Sequence, residues 1–319
     1  MVAAVSGHQS VFDLLVSNQA DLTLVSTSGD SLLHLACQGG NTAIVQHLLS
    51  PSNINSRGMH QWTPAMKAAV CGQQSVFDLL VSNQADLTLV DTFGDSLLHL
   101  ACQGGNTAIV QHLLSPSNIN SRGKHGWTPA MKAAVNGHQS VFDLLVSNQA
   151  DLTLVDTSDD SLLHLACQGG NTAIVQHLLS PSNINSRGMH QWTPAMKAAV
   201  NGHQSVLDLL VSNQADLTLV STSGDSLLHL ACEGGNTAIV QHLLSPSNIN
   251  SRGRQGCTPV MKAAYRGHKD VVDLLVQHKA DLTLLTDSNE DIECVAQRGG
   301  HATIAKYLQT VCYQRGQQD

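Results

Sequence analysis

Apolar and polar positions recur along this 319-residue chain in a short, regular cycle. Ile44, Val45, Leu48 and Leu49 have the i, i+1, i+4, i+5 spacing of one helix face. The pattern predicts a helix over residues 41–50, which Pro51 ends. A shorter segment rich in Ala and Leu precedes this helix, and a Gly-Gly step separates the two. The local prediction is therefore helix, turn, helix and loop.

Polar residues mark where the first of these helices begins and ends. Thr63 and Ser31 carry hydroxyls that can satisfy an unpaired N–H of the first turn. Pro64 follows Thr63 at the first helical position, where its missing N–H costs nothing. We expect the first helix to end at Gly72 in one kind of unit and at Gly39-Gly40 in the other.

The whole cycle is copied along the chain. A 65-residue block begins at residues 1, 66, 131 and 196, and a fifth, diverged block begins at residue 261. Only thirteen of the 65 columns differ among the four full copies. Each block divides again into an odd and an even unit of about 33 residues. One such unit cannot bury its apolar face alone, so neighbours must stack into an all-α solenoid.

Composition excludes several classes of function. The chain has 16 Lys+Arg against 24 Asp+Glu, a net charge of −8, and 13% charged residues. The acidic balance argues against a protein held mainly by nucleic acid phosphates or anionic lipid. No apolar run is long enough to span a membrane, so we expect no membrane insertion.

Three segments carry a resemblance to the ankyrin repeat family. They are TPAMKAAVNGH at residues 128–138, DLLVSNQADLTL at residues 143–154 and GDSLLHLACQGG at residues 94–105. The segment from Cys257 is closest to the family pattern. The resemblance covers essentially the whole chain. It implies L-shaped units with hairpin fingers, and a ligand surface on the concave face. That surface, made by the fingertips and first helices, is called the finger face below.

The resemblance divides the chain into one array of about ten helix-turn-helix units. The first unit, residues 1–25, is truncated because Met1 aligns with Met66, inside a first helix. Phe12, Leu14, Leu15 and Val16 are then left on an outer face. We therefore expect the chain to be a fragment of a longer protein, or its N-terminus to be covered by another molecule. The internal units are 26–57, 58–90, 91–122, 123–155, 156–187, 188–220, 221–252 and 253–285. Residues 286–319 are predicted to form a C-terminal capping unit with a polar tail.

The sequence also departs from the family pattern. Odd units place Met66, Met131 or Met196 where the family usually has His, and even units keep His but lack Pro. Gln occupies a position often filled by Gly in a left-handed turn, at residues 19, 84, 149 and 214. A residue other than Gly there carries some strain if the turn is kept.

Cysteine and histidine are abundant, but both are mostly copied. Cys37 and its copies at 102, 167 and 232 are too far apart to form disulfides and are predicted to be buried. Cys71 and Cys257 are candidates for exposed thiols. Unpaired cysteines favour a reducing compartment and a cytoplasmic location. His34 and its copies are predicted to cap helices. A metal ladder along His60, His125 and His190 is the weaker alternative.

No catalytic or cofactor motif stands out from the repeat. Asp159-Asp160 is an acidic pair at a fingertip, for which a solvated turn is favoured over acid–base catalysis. The Gly-rich loops near residues 38–41 recur in every even unit and lack a strand-loop-helix context, so they are interpreted as helix–helix turns. A copied residue cannot mark one active site. We therefore expect neither an enzyme nor a cofactor.

The columns that break the copying are the most informative ones. Seven of the thirteen fall in fingertips and two at the end of a first helix, so nine would line the finger face. Free drift of exposed positions and diversification for a ligand both explain this, and diversification is favoured because exposed second-helix residues do not drift. The predicted partner-binding residues are Met59, His60, Trp62, Cys71, Phe93, Lys124, His125, Trp127, Asn136, Asp159, Met189, His190, Trp192, Asn201, Glu233, Arg254 and Gln255.

The fingers alternate in charge, with Asp30, Asp95, Asp160 and Asp225 on even fingers and Arg57, Arg122, Arg187 and Arg252 on odd ones. Neighbouring fingers could pair with each other, or a partner could read the alternation. Phe93 and the three tryptophans are the expected anchors for a partner. For the tryptophans, packing between fingers is an equally good explanation.

The favoured function is non-catalytic protein–protein recognition on the finger face. The alternative is a structural tethering rod inside a larger receptor, channel or adaptor, with no ligand of its own. The outward-facing apolar residues of the first unit motivate this alternative.

Overall fold

The computed structural model describes residues 1–123 and 125–315. These residues form two compact units, Met1–Thr157 and Ser158–Asp319. Each unit is described by itself below. Within the described residues the regular structure consists of α-helices and short 3₁₀ turns, without β-strands. This confirms the all-α fold.

The first unit contains five helical pairs. Its helices are α1 Val2–Val5, α2 Gln9–Ser17, α3 Leu32–Gly39, α4 Thr42–Leu48, α5 Pro64–Val70, α6 Gln74–Ser82, α7 Leu97–Gly104, α8 Thr107–Leu113, α9 Pro129–Val135 and α10 Gln139–Ser147.

The second unit repeats the same alternation. Its helices are α11 Leu162–Gly169, α12 Thr172–Leu178, α13 Pro194–Val200, α14 Gln204–Ser212, α15 Leu227–Gly234, α16 Thr237–Leu243, α17 Pro259–Arg266, α18 Lys269–Gln277, α19 Ile292–Arg298 and α20 Ala302–Arg315. In every pair the odd-numbered helix is the first helix of its repeat.

The helices begin where the sequence places capping side chains. The Thr63 hydroxyl accepts a hydrogen bond from the Met66 N–H at 3.3 Å, and Pro64 takes the first position of α5. The Asn41 side chain caps α4 in the same way, accepting from the Ile44 N–H at 3.0 Å. These bonds satisfy donors that the helix itself cannot pair.

First helices of successive repeats pack side by side through small residues. Ala68 and Ala69 of α5 and Ala101 and Cys102 of α7 are fully buried. Gly104 ends α7 where a Cβ atom would lie 2.5 Å from the carbonyl oxygens of α5. The Gly-Gly step therefore permits close backbone approach in addition to ending the helix.

The helices of one repeat are followed by a tight turn that leads to a fingertip. The Gln copies at 19, 84, 149 and 214 adopt φ of 59°, 65°, 65° and 66°. The left-handed turn is thus kept with Gln in place of Gly, and these Gln residues carry the strain expected of a residue other than Gly. At the odd fingertips a 3₁₀ turn over Met59–Gln61 holds His60 at φ 56°.

The first repeat shows which apolar residues depend on a neighbour. Phe12 is buried, so its predicted place on the outer face was wrong, since it packs edge-on against His47 with ring centroids 5.5 Å apart. Val11 and Leu15 are exposed, whereas their copies Val76 and Leu80 in α6 are fully buried. Helix α4 packs against α6. Residues of one sequence are therefore buried or exposed according to whether such a helix lies beside them.

Candidate partner-binding surface

A buried ion pair joins each even fingertip to the first helix of the next repeat. The Asp30 carboxylate accepts from the Lys67 ammonium of α5 at 2.7 Å and from the Met59 N–H at 2.9 Å. The same contact recurs at Lys132–Asp95, Lys197–Asp160 and Lys262–Asp225, at 2.6, 2.6 and 2.9 Å. Each pair lies within one of the two compact units.

This pair corrects both explanations of the alternating finger charges for the Asp30 column, whereas Arg57 remains exposed. Asp30 is only 3% exposed and forms an ion pair with Lys67, so a partner protein cannot contact its carboxylate. Arg57 instead donates to the carbonyl oxygens of Gln61 and Val90, at 2.6 and 2.8 Å. The aspartates and arginines of neighbouring fingers therefore serve different contacts, and neither pairs with the other in this finger.

The ionised state of the buried aspartate is stabilised by its donors. Burial disfavours the charged carboxylate of Asp30, but the Lys67 ammonium and the Met59 N–H outweigh it and lower its pKa. The pKa of Asp225 is lowered in the same way, against burial, by the Arg254 N–H and Lys262. Both carboxylates act as fixed acceptors inside the fold.

The tryptophans belong to the same structural contact. The Trp62 Nε1–H donates to the Asp91 carboxylate of the next finger at 3.0 Å, and the Lys67 ammonium lies 5.2 Å from the ring centroid. Trp127 donates to Asp156 at 2.9 Å. Packing between fingers is thus confirmed for Trp62 and Trp127. Both residues are still half-exposed.

One of the nine variable columns does not lie on the surface. Asp91, Asp156 and Ser221 are buried, and Asp91 accepts from the N–H groups of Phe93 and Asp95 at 2.8 and 2.9 Å. This column was wrongly predicted to line the finger face. Its aspartates organise the fingertip from inside and hold the indole of the preceding finger.

The histidine copies cap helices, as predicted. His34 is buried, and its Nδ1 accepts from the Ser31 N–H at 3.3 Å. Its Nε2 lies 3.1 and 3.0 Å from the carbonyl oxygens of Ser56 and Trp62. This network assigns the neutral tautomer with the proton on Nε2. Burial lowers the pKa of His34, and likewise those of His99, His164 and His229.

The cysteines divide into buried and exposed groups. Cys37 and its three copies are buried and free, which confirms the structural prediction, and burial raises the pKa of each thiol. Cys71 is exposed. Cys257 is buried, so its predicted exposure was wrong. It replaces the fingertip tryptophan, and its smaller side chain is covered by the groups around it.

In the first unit the structure brings three predicted residues together. The His60 ring lies 5.3 Å from that of Phe93 and 6.3 Å from that of Trp62, measured between centroids. Met59, His60 and Phe93 are exposed. Cys71, His125 and Asn136 are also exposed but belong to other repeats or helix ends. Lys124 lies outside the described residues.

In the second unit five predicted residues line one cleft. His190, Trp192, Glu233, Arg254 and Gln255 line a cavity of about 660 Å³ formed by three fingers and three first helices. Met189, Asn201 and Asp159 are exposed and lie outside it. Asp159 holds φ at 61°, a left-handed conformation that its copies fill with glycine.

Sequence reasoning missed three further residues of this cleft, Tyr265, Arg266 and Arg298. All three lie in the diverged fifth block, which the comparison of four full copies left out. Arg266 is the fifth member of the variable column that contains Cys71, Asn136 and Asn201. Extending the column comparison to that block would have found it.

Across residues 1–123 and 125–315, no three His, Cys, Asp or Glu side chains are grouped as a metal site would require. No helix in the described part of the chain is long and apolar enough to cross a membrane.

Comparison with known proteins identifies the family. The family model described as "Ankyrin repeats (3 copies)" matches residues 1–91, 79–156, 150–221 and 228–315. The chain therefore belongs to the ankyrin repeat family, whose members are generally protein–protein interaction modules.

Curated relatives share this family and are longer. The chain is 30% identical over 287 residues to the ankyrin repeat and KH domain-containing protein mask-1 of Caenorhabditis elegans, covering 87% of this chain and 11% of that protein. It is 30% identical over 230 residues to the B-cell lymphoma 3 protein homolog of Mus musculus, covering 68% and 51%. It is 27% identical over 245 residues to the transient receptor potential cation channel subfamily A member 1 of Homo sapiens, covering 72% and 22%. The chain thus spans 11–51% of the lengths of these relatives.

Proposed function

We propose that this chain is a non-catalytic scaffold that binds another protein through its finger face, as one array of about ten repeats with the bounds predicted from sequence. The observation that carries the proposal is the contrast between copied and variable residues. The copied residues form buried contacts between repeats, such as Asp30 with the Met59 N–H and His34 with the Trp62 carbonyl oxygen. The variable ones include exposed side chains at fingertips and first-helix ends, such as Met59, His60 and Asn136.

Exposure alone does not explain where the variation lies. Asp13, Asp78, Asp143 and Asp208 are equivalent positions on the second helices, and all four are exposed yet unchanged. Variation that avoids one exposed surface and concentrates on another fits selection for a ligand. The buried free cysteines support a reducing, cytoplasmic location, which belongs to the same proposal.

A capture experiment tests the proposal. The chain is compared with a variant in which each exposed finger-face column is made uniform, using the commonest residue of that column. A matched control makes two columns off this face uniform, by Gln73→His and Leu207→Phe. We expect the first variant to lose bound proteins that the control retains. Equal recovery by all three chains would contradict the proposal.

A structural tethering rod within a larger protein is the second candidate. The exposed Val11, Leu14 and Leu15 of α2 favour it, because their copies need a neighbouring helix to be buried. Combined substitution of Phe93 and Lys124 separates the two candidates. Loss of a cellular partner by the Phe93 and Lys124 variant supports the scaffold. The rod is supported if that variant keeps its partners while substitution of the exposed α2 residues abolishes function.

A further inference from the structure

We propose that the cleft of the second compact unit binds an acidic segment of the partner protein, with carboxylate side chains held by Arg254, Arg266 and Arg298. The inference rests on the proposed function, since it names the chemistry of the partner at the same finger face. It is carried by the charges of the cleft, the comparison with internal copies and the origin of the cavity.

The accessible charge in the cleft is positive. Arg266 and Arg298 have 51% and 45% of their side chains exposed, and Arg254 is also exposed. The acids that face the same space lie deeper. Asp225 is buried with Lys262 at 2.9 Å, and Glu233 is only 21% exposed beneath Arg266 and Lys262. A ligand approaching from solvent therefore meets guanidinium groups first.

The acids orient the arginines without saturating them. Arg266 uses one terminal nitrogen for Glu233, and Arg298 uses Nη1 for Glu290 at 2.9 Å. A guanidinium has five N–H donors in a planar fork, so each retains donors for a second carboxylate. Arg254 forms no ion pair with any side chain that the structure describes.

Tyr265 adds an apolar surface between the two arginines. Its ring centroid lies 5.9 Å from the Arg266 guanidinium carbon and 5.6 Å from that of Arg298. The ring is exposed, and the half-exposed Trp192 lies across the same cleft. Two aromatic rings beside a forked cationic pair suit a peptide in which acidic residues flank an apolar one.

The internal copies show that the fold does not need these side chains. At the equivalent positions Arg254 is replaced by Met59, Met189 or the cationic Lys124, and Tyr265 by valine. Arg266 is replaced by Cys71, Asn136 or Asn201, and Arg298 by glutamine in three repeats and by Glu233 in the fourth. Those repeats keep the same helices and the same buried Lys–Asp pair. The cluster is therefore an addition to a repeat that folds without it.

The cavity arises from one further departure. In the other odd repeats a tryptophan covers the buried lysine, with Lys67, Lys132 and Lys197 lying 5.2, 5.2 and 5.5 Å from the ring centroids. Cys257 takes that place beside Lys262 and fills much less space. Residues 254–298 thus lack the bulky ring and add cations around the space, which is the combination that a binding cleft requires.

The test uses the full chain, three fluorescein-labelled peptides and fluorescence anisotropy. One peptide repeats Glu-Glu-Phe, and the other two carry Gln or Lys in place of Glu. We expect binding of the Glu peptide only, weakening as salt is raised because exposed charges are screened. Equal binding of the Gln peptide, or equal competition by an oligo-dT strand, would overturn the proposal.

Variants that copy internal repeats locate the site. Arg266→Asn with Arg298→Gln removes two cleft cations, and we expect the Kd to rise about 10- to 100-fold. Lys279→Gln with Lys306→Gln removes the same charge at exposed positions where other repeats have Gln, and we expect less than about a twofold change. Cys257→Trp keeps every charge, fills the cavity and is expected to abolish binding. A folded Cys257→Trp variant with unchanged affinity would contradict the proposal.

The result separates this inference from the proposed function. Should the Glu peptide fail to bind while the uniform finger-face variant still loses its captured partner, the acidic ligand is wrong and the scaffold stands. Should captured proteins be equal for all chains as well, both are wrong.

Discussion

The internal repeats and the last two repeats share the same helices and the same buried ion pair but surround that pair with different residues. In the internal repeats a tryptophan, a lysine and an aspartate form one closed contact, as at Trp127, Lys132 and Asp95. Around residue 257 the lysine and aspartate remain, while the tryptophan is lost and charged residues collect nearby. The comparison shows that the ion pair is the constant part of the repeat and the residues around it are the adjustable part.

The largest expected effect is the loss of an internal ion pair. Asp95→Ala leaves Lys132 buried without its carboxylate, and we expect the free energy of unfolding to fall by about 3–5 kcal/mol. Asp225→Ala should cost about 1–2 kcal/mol less, because Glu233 lies 3.8 Å from Lys262. Urea unfolding followed by circular dichroism measures both. Equal losses would show that Glu233 does not substitute for the aspartate.

The next effect concerns the tryptophan that the last repeats lack. Trp127→Cys gives an internal repeat the residue found at 257, removing the hydrogen bond to Asp156 and the ring over Lys132. We expect a loss of about 2–3 kcal/mol, since the ring is half-buried. Calorimetric melting of Trp127→Cys and Cys257→Trp provides the comparison. A neutral Trp127→Cys would mean that the ion pair alone holds the fingers.

A smaller, pH-dependent effect separates the same regions. The pKa values of His34, His99, His164 and His229 are lowered in the folded chain, so the unfolded chain binds protons that the folded chain does not. Stability should therefore be full above pH 6.5 and fall as the pH drops below about 6.5, the ordinary histidine value.

The terminal repeat provides an internal control for this effect. Cys294 stands in α19 where other even repeats have the capping histidine. Hydrogen exchange at pH 7.5 and 5.5 should show protection lost in α7 and α15 before α19. Uniform loss along the described repeats would contradict the assignment to the histidines.

The smallest effect is expected at an exposed finger pair. Arg252 and Asp287 lie 3.1 Å apart with 45% and 66% of their side chains exposed. Asp287→Ala should change stability by at most about 1 kcal/mol, because exposed pairs gain little in water. The same urea titration measures it. A loss as large as that of Asp95→Ala would show that exposure does not separate the two kinds of pair.

Local signals in the sequence predicted the repeat, but not which residues would meet across repeats. Thr63, Pro64 and the Gly-Gly step act within one helix, so their roles follow from neighbours in the chain. Asp30 and Lys67 are 37 residues apart, and only stacking brings them together. Their pairing was therefore missed, and Asp30 was mistaken for a surface charge.

The candidate site was predicted in part for a related reason. Column variation identified Glu233, Arg254 and Gln255 because four copies were available for comparison. Tyr265, Arg266 and Arg298 lie in the fifth block, which the comparison of four copies left out. Their difference from the equivalent residues was therefore not detected. Cys257 was recognised in the sequence as a replacement of tryptophan. The cavity that this replacement leaves could not be predicted, because it depends on how the neighbouring repeats pack.

Identical interfaces also cannot distinguish one neighbour from another. Helix α6 packs against both α4 and α8, and these two helices have the same seven residues. During folding a helix pair can therefore dock one block out of register, or exchange with another molecule, at no cost in contacts. The block from residue 261 differs most from the others, so its interfaces are the easiest to distinguish. Correct assembly of this chain should accordingly depend on the C-terminal block folding in time to fix the order of the rest.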